Sequence, residues 1–246
     1  WAFGLYWRKD GVPIWKNAAL IAGINHPRKA SIDHARQLIE GVAKRVGLDA
    51  VYVLPAHEDP VHWLQKEDAL PVNVNPLDSK LADAEERARM ARVFNAGLNK
   101  VSGFVLPLQN EGDKGPGWLT ERWRLRRGHL FLIPGDSPLG LRLPMSSLEH
   151  VPPEDYPYIV EDDPMDPRSD LAEAAADGTP ARRKKATPRP VRTAIAVEIR
   201  DGKLCVFMPP VEKVEHYLEL IAAVEAVAED IEITVHVEGY GPPYDP

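Results

Sequence analysis

The chain has 246 residues, of which 44% are hydrophobic and 27% are charged, and it carries a formal net charge of -7 at neutral pH. This length accommodates one large hydrophobic core or two smaller ones. The negative balance argues against nucleic-acid binding over the whole surface, which requires a clustered basic excess. A single cysteine, Cys205, excludes an internal disulfide, and no apolar run approaches the roughly 20 residues that cross a bilayer. We therefore expect a cytoplasmic protein without membrane or nucleic-acid partners.

The first 150 residues predict an α+β unit. The pair Asp10-Gly11 lies between strand-like runs at 3–8 and 12–15 and predicts a β-hairpin. Ser31 as N-cap and Gly47 as C-terminal cap bound a helix with apolar residues at helical spacing. A second helix is predicted at 79–98 and an exposed loop at 110–117. Strands are predicted at 51–54, 103–108, 123–126 and 130–133.

The composition changes between residues 151 and 190. Prolines become frequent, an acidic stretch at 161–163 precedes a basic run at 182–185, and large apolar residues nearly vanish. Such a segment buries too little surface to offset its ordering entropy, so we expect a disordered linker or insertion. The basic run has two interpretations, a contact with nucleic acid or an acidic partner, and a solvated loop of mixed charge. The acidic neighbour favours the solvated loop.

Residues 191–246 predict a β-β-α-β unit. Two strands, 193–200 and 203–208, flank the turn pair Asp201-Gly202, and a helix at 211–229 leads to a strand at 231–238. We predict an α+β fold with a mixed, mainly antiparallel sheet and packed helices. Its parts are an amino-terminal unit (1–150), the linker (151–190) and the carboxy-terminal unit (191–246).

Side chains alternate across a strand, so each predicted strand divides into two faces. The apolar face of the hairpin must pack on the helix and comprises Ile195, Val197, Ile199, Leu204, Val206 and Met208. The opposite face comprises Ala194, Ala196, Glu198, Arg200, Cys205 and Phe207, and the last strand adds Glu232, Thr234, His236 and Glu238. The two-residue turn places Glu198 directly across from Cys205. We therefore expect Glu198, Cys205, His236 and Glu238 to share one surface.

This surface has two interpretations. Its carboxylates are ligands that suit Mg²⁺, but the solvent side of an antiparallel sheet carries the same residue types. Cys205 and His236 form a possible nucleophile and base, although a cysteine between Leu204 and Val206 is more typical of a small core residue.

Two loop motifs have similar alternatives. His57 and His62 enclose Glu58, but their spacing is one residue longer than in the zinc-binding helix motif, and Pro60 breaks the turn. A structural loop cluster is the favoured interpretation. The segment 134–144 predicts a rigid turn leading into a short strand, where backbone amides and Arg142 suit a phosphate or carboxylate.

Five motifs together resemble a bacterial amidoligase family. They are Tyr6-Trp7-Arg8-Lys9-Asp10-Gly11-Val12-Pro13, Val105-Leu106-Pro107-Leu108, the 134–144 turn, Val206-Phe207-Met208-Pro209-Pro210, and Glu238-Gly239-Tyr240-Gly241-Pro242-Pro243. The resemblance covers nearly all of the chain outside the linker. It implies a glutamine-synthetase-like carboxylate–amine ligase fold, in which a sheet surface binds ATP and Mg²⁺ and a carboxylate is activated as an acyl phosphate before an amine attacks it.

The resemblance also implies roles for particular residues. Glu198 and Glu238 are expected to bind the metal, Asp136 and Ser137 the nucleotide. Arg142 and Arg8 are expected to approach the same face as catalytic cations, because an acyl phosphate needs cationic donors.

The expected partners are peptide or small-molecule carboxylates and amines, and a transglutaminase-like domain in the same longer chain. The first residue is not Met, and the family pattern continues past residue 246, so we expect a fragment whose site is incomplete. The alternative function is a non-catalytic scaffold that presents substrate to that neighbouring domain, supported by the aromatic residues Trp1, Tyr6, Trp7 and Trp15.

Overall fold

The computed structural model of the chain describes residues 7–23, 30–59, 61, 100–110, 117–125, 128–134, 141–143, 148 and 190–243. Within these residues there are two α-helices, α1 (Ile32–Arg45) and α2 (Val214–Asp230). The strands are β1 (Leu54–Glu58), β2 (Gly103–Pro107), β3 (Gln109–Asn110), β4 (Trp118–Leu119), β5 (Leu130–Pro134), β6 (Leu141–Arg142), β7 (Ala194–Arg200), β8 (Lys203–Met208) and β9 (Val235–Gly239). None of the described helices is long and apolar enough to cross a membrane.

Seven of the strands form one sheet in the order β6-β5-β1-β2-β7-β8-β9, and β3 pairs separately with β4. The joins β1–β5 and β8–β9 are parallel, whereas the other four are antiparallel. The predicted fold class, α+β with a mixed and mainly antiparallel sheet, is therefore confirmed. Strands from both the 1–150 and the 191–246 units join this sheet, while the proposed unit boundaries stay a prediction.

Each face of the sheet has its own core. Helices α1 and α2 cover one face and pack on the apolar sides of β7 and β8, as the strand alternation predicted. The other face carries a smaller cluster formed by Ala56, Val105, Trp123, Leu130, Leu132, Leu148 and Ala194. Toward β8 and β9 this second face holds polar and charged side chains in place of the apolar cluster, and the candidate site lies there.

Helix α1 begins and ends where the sequence predicts. The Ser31 side chain accepts from the backbone N–H of His34, and Nδ1 of the His34 ring accepts from the backbone N–H of Ser31, which together form a capping box. At the other end Gly47 adopts φ +75°, and Leu48 donates to the carbonyl of Ala43 at 2.8 Å. This Schellman geometry satisfies carbonyls that the helix end leaves without partners.

The β7–β8 hairpin also follows its sequence signal. Asp201 and Gly202 both have positive φ, 51° and 73°, as a tight hairpin turn requires. The turn fixes the register, so Glu198 opposes Cys205 as predicted.

Two strands begin later than predicted. Residues 50–52 form a 3-10 turn in which the Asp49 side chain accepts from the backbone N–H of Val51. The strand expected at 51–54 therefore starts only at Leu54 and continues through Pro55. The last strand begins at Val235 instead of Ile231, because α2 ends in a second Schellman turn. Glu232 adopts φ +53° there, and Ile233 donates to Ala228.

Two other predicted strands do not form among the described residues. Residues 12–15 are irregular, although the turn forms, with Gly11 donating to the Arg8 carbonyl at 3.1 Å and Val12 to the Asp10 carboxylate at 3.0 Å. Residues 123–125 have no strand pairing, because Trp123 uses its indole to anchor the segment on Val191. The helix expected at 79–98, most of the loop at 110–117 and the linker at 151–189 lie outside the described residues.

Candidate functional site

The candidate site lies on the sheet face opposite the two helices, where β7, β8 and β9 run side by side. Cys205 of β8 pairs with Glu198 on one side and His236 on the other, and Phe207 pairs with Glu238. Because alternate residues point to the same side of a strand, these side chains share one face. The prediction that Glu198 and Glu238 lie on a common surface turned away from α2 is confirmed.

Arg200 joins the two glutamates into one carboxylate–guanidinium cluster (Glu198, Arg200 and Glu238). Its Nη1 donates to Glu198 Oε1 at 2.9 Å and to Glu238 Oε1 at 3.1 Å, and its Nη2 donates to Glu238 Oε2 at 2.6 Å. The side chains of Arg200, Glu198 and Glu238 are only 14%, 13% and 8% exposed. The guanidinium therefore holds Glu238 through two parallel bonds and reaches Glu198 with the same fork.

The cluster follows from strand geometry. Glu198 and Arg200 are two residues apart on β7 and so point to the same side, while Glu238 comes from β9, with β8 between them. The intervening β8 residue is Cys205, whose small side chain leaves room for Arg200 to extend across to Glu238. A bulky residue at that position would fill this space.

Electrostatic interactions keep Arg200 charged. Burial disfavours the charge of Arg200, but the hydrogen bond with Glu238 and the charges of the neighbouring groups outweigh burial and raise its pKa. Two carboxylates around one guanidinium leave a net charge of about -1 on the cluster, which favours a cationic ligand.

His236 borders the cluster and remains accessible, with a side chain that is 46% exposed and an Nε2 3.7 Å from Glu238 Oε2. Burial lowers its pKa, and the positive charges of Arg200 and Lys203 add to this effect, while Glu238 partly opposes it. At neutral pH the imidazole is therefore uncharged and able to accept a proton.

Cys205 does not have the environment of a nucleophile. Its residue is 2% exposed, and burial, more than any neighbouring charge, raises the thiol pKa to about 12. The group is a neutral thiol at neutral pH, so the structure favours the small core residue over the nucleophile.

The structure does not bring the two predicted arginines to the cluster. The Arg8 guanidinium pairs with Asp10 inside its own turn. Arg142 lies on β6 at the opposite edge of the sheet, four strands from β7, which is roughly 19 Å at the usual strand spacing. Asp136 and Ser137 lie outside the described residues. The roles expected for these four residues stay predictions.

His57 is buried, consistent with a structural role. One ring nitrogen lies 3.1 Å from the Lys100 carbonyl, and the ring lies beside His129 with the ring centroids 5.2 Å apart. His62 is outside the described residues. Across the part of the chain that the structure describes, no group of three or more His, Cys, Asp or Glu side chains is arranged to hold a metal ion.

The carboxylate–guanidinium cluster does not fit a Mg²⁺ site in this arrangement. Magnesium needs carboxylate oxygens that face a shared cation position. Here the Arg200 guanidinium occupies the place between the carboxylates, so their oxygens face the guanidinium and not a shared metal position.

Arg200 is the central residue that sequence reasoning placed on this face without assigning it to the site. The signal was present, because an arginine two positions from Glu198 on a strand must share its side of the sheet. Arg200 can reach Glu238 only because β9 pairs with β8, and local sequence does not determine that pairing.

These observations define an α+β protein whose mixed sheet has one face covered by helices and an opposite face that carries a small core and a partly buried charged cluster. The family described as "Putative amidoligase enzyme (DUF2126)" matches residues 1–246, so the chain belongs to this amidoligase family. The family resemblance expected from the motifs is thus confirmed. Comparisons with curated proteins and with solved structures find no match, so the likeness to the glutamine-synthetase fold stays a prediction.

Proposed function

We propose that the chain is part of an ATP-dependent amidoligase. The carboxylate–guanidinium cluster, on the sheet face opposite the helices, binds the amine substrate. The observation that carries this proposal is the partly buried cluster of Glu198, Arg200 and Glu238 beside the uncharged imidazole of His236. Buried ion pairs contribute little net stability, which makes a binding role the better explanation for keeping three charges on this face.

The net negative charge of the cluster suits a protonated amine. Such an amine arrives as a cation and must lose a proton before its nitrogen can attack a carbonyl carbon. Glu238 supplies the attracting charge, and His236 Nε2, close to that carboxylate, accepts the proton. Arg200 holds the two glutamates in place through its hydrogen bonds.

The proposed reaction has two steps. An oxygen of the substrate carboxylate attacks the γ-phosphorus of ATP, which forms an acyl phosphate and releases ADP. The amine nitrogen then attacks the acyl carbon, and the carbon–oxygen bond to phosphate breaks with its electron pair leaving on inorganic phosphate. The amine cation loses two protons in all. His236 accepts the first before the attack, and the second leaves the nitrogen after the attack and passes to the departing inorganic phosphate. ATP is a substrate here, and we propose that Mg²⁺ accompanies it as the counter-ion of its phosphates.

A second candidate function is a scaffold that presents substrate to a transglutaminase-like domain in the same longer chain. Exposed aromatic residues favour it, because Trp7 is 74% exposed and Tyr240 is 54% exposed. Such side chains are enriched at protein interfaces. This candidate predicts binding of the neighbouring domain without any effect of nucleotide.

The test is amine-dependent release of ADP by the full-length protein, with a panel of amines and carboxylates. We expect Glu238→Gln to raise the KM for amine about tenfold or more while changing the KM for ATP little, because a charged contact is lost. Glu229→Gln is the matched control, since Glu229 is exposed at the end of α2. Absence of amine-dependent ADP release would overturn the proposal.

Glu198→Gln separates the amine-binding interpretation from the metal-binding one. If the glutamates bind a metal, this variant weakens Mg²⁺-dependent nucleotide binding measured by calorimetry and leaves the fold stable. If they bind the amine, nucleotide affinity stays at the wild-type value and the KM for amine rises. Unfolding of the variant with normal nucleotide affinity in the remaining folded protein would assign Glu198 a structural role.

A further inference from the structure

A separate cavity of about 270 Å³ lies beside the smaller core, between two extended segments of the chain. It is lined by Glu121, Arg122, Trp123, Arg124, Leu148, Pro190, Val191 and Arg192. Its distance from the carboxylate–guanidinium cluster is set by β7, because Ala194 to Glu198 alone span roughly 13 Å of extended strand. The cavity is therefore a different site from the one described above.

Two hydrogen bonds to one residue build this cavity. The Trp123 indole Nε1 donates to the carbonyl of Val191 at 2.7 Å, and the backbone N–H of Val191 donates to Glu121 Oε1, also at 2.7 Å. Trp123 and Val191 are 7% and 4% exposed. Both backbone groups of Val191 are thus tied to the 121–123 segment, and the neighbouring Arg192 lines the same cavity as Arg122 and Arg124.

The cavity concentrates positive charge. Three arginines and one glutamate line it, which leaves a net charge of about +2 facing the space. The glutamate already accepts the Val191 amide. Arg122 and Arg124 are exposed, and neither forms an ion pair with another residue of the described ranges. Both arginines line the cavity and flank Trp123 in the sequence, which brings two guanidinium groups to one space.

The size of the cavity limits the ligand. Pockets for drug-sized ligands have volumes of roughly 300 to 1,000 Å³, so a space of about 270 Å³ suits a compact group and is too small for a whole nucleoside triphosphate. Guanidinium forks recognise carboxylate and phosphate oxygens through paired donors.

We propose that this cavity is a binding site for a compact dianion, either a dicarboxylate or a phosphate group, held by Arg122, Arg124 and Arg192. Both ligands share two negative charges and oxygen acceptors at guanidinium spacing. The proposal is independent of the ligase reaction, because it rests on the cavity and its charges alone.

The test is calorimetric titration of the full chain with inorganic phosphate, glutarate and acetate at low ionic strength. We expect at least one of the two dianions to bind about tenfold or more tightly than acetate, because two charges engage more than one arginine. Binding of phosphate alone identifies a phosphate site, and binding of glutarate alone identifies a dicarboxylate site. Absence of binding by both dianions, or equal binding of acetate, overturns the proposal.

Variants locate the binding. The double variant Arg122→Gln with Arg124→Gln should lose about tenfold or more in dianion affinity, and both residues are exposed, so folding should persist. Arg36→Gln is the matched control, because Arg36 pairs with Asp33 on the exposed side of α1. Arg192→Gln provides an independent second variant should the double variant fold poorly. Unchanged affinity in both arginine variants overturns the assignment.

Discussion

At the scale of single residues, Arg200 organises the candidate site, because it forms hydrogen bonds with both Glu198 and Glu238. Strand alternation alone predicted that Glu198 and Glu238 share a face, because that inference needs only the period of two along β7 and β9. The pairing of both glutamates with one guanidinium was not predictable, since a long side chain can reach several partners. The approach of Arg8 to this face stays a prediction for the same reason, and in the structure Arg8 forms an ion pair with Asp10 two residues away.

His236 leads to a prediction about pH. Its pKa in the folded protein is lowered by burial, so the folded state resists protonation below the ordinary value of about 6.5. The unfolded chain takes up the proton as the pH falls through that value, and this favours unfolding. The stabilising contribution is therefore fully present above about pH 6.5 and is lost as the pH falls toward the folded pKa.

The measurement is thermal unfolding of wild type and His236→Gln between pH 7.5 and 5. We expect the wild-type midpoint to fall more steeply with acidification than that of the variant, which lacks the titrating group. Parallel curves for the two proteins would contradict this expectation. Glu238, Arg200 and Lys203 surround His236 and are present in both proteins, so the two proteins differ only in the imidazole.

Cys205 leads to a prediction about reactivity. A thiol with a pKa of about 12 in a residue that is 2% exposed should resist alkylation by iodoacetamide in the native protein at pH 8 and react only after unfolding. Cys205→Ala should keep amine-dependent activity within about twofold, because the proposed chemistry does not use sulfur. Rapid native alkylation, or loss of activity in the alanine variant, would restore the nucleophile hypothesis.

At the scale of elements, helices with caps and hairpins with turn pairs were predictable, because short sequence signals determine them. Ser31 and Gly47 bound α1, and Asp201-Gly202 fixes the β7–β8 register. The strand expected at 51–54 was wrong because Asp49 caps a 3-10 turn, and a short apolar run has no period that distinguishes the two structures.

The contact between α1 and α2 depends on a glycine. A Cβ atom added at Gly41 would lie 2.6 Å from Cγ1 of Val227, and the branched valine has little freedom to move. We expect Gly41→Ala to lower the free energy of unfolding by about 1 to 2 kcal/mol, although alanine favours the helix by about 1 kcal/mol. Chemical denaturation with fluorescence detection measures this change.

A second substitution tests the cause of that loss. Because Val227→Ala removes the opposing methyl groups, the double variant should be about 1 kcal/mol or more stable than the sum of the two single changes predicts. Additive effects would show that the helices do not meet at Gly41. Gly23→Ala is a suitable control, since its added Cβ meets no atom within 4 Å.

At the scale of the whole molecule, the sheet interleaves early and late parts of the sequence. The fold class was predictable from the count and pattern of elements, but the order β6-β5-β1-β2-β7-β8-β9 was not. Strand order depends on which apolar faces pack together between segments that are far apart in the sequence. No local sequence pattern determines that packing. The second core, which includes Trp123 and Leu148, was missed because its members come from distant parts of the sequence that no local pattern brings together.

This arrangement predicts that residues 191–246 do not fold alone. Val224 and Val227 of α2 belong to the core that includes α1, and one edge of β7 pairs with β2. We expect the isolated fragment to show weak helicity by circular dichroism and poorly dispersed amide NMR signals. Addition of a 1–150 fragment should restore dispersion, whereas a cooperative thermal transition in the isolated fragment would contradict the prediction.

The pairing of β2 with β7 has a consequence during synthesis. The paired residues are roughly 90 positions apart, so at a ribosomal rate of about 5 to 20 residues per second β2 waits several seconds or more for its partner to be made. Throughout that time the β2 edge has unpaired amides and carbonyls next to apolar Val105 and Leu106. We expect the nascent chain, more than the finished protein, to be the form that recruits chaperones.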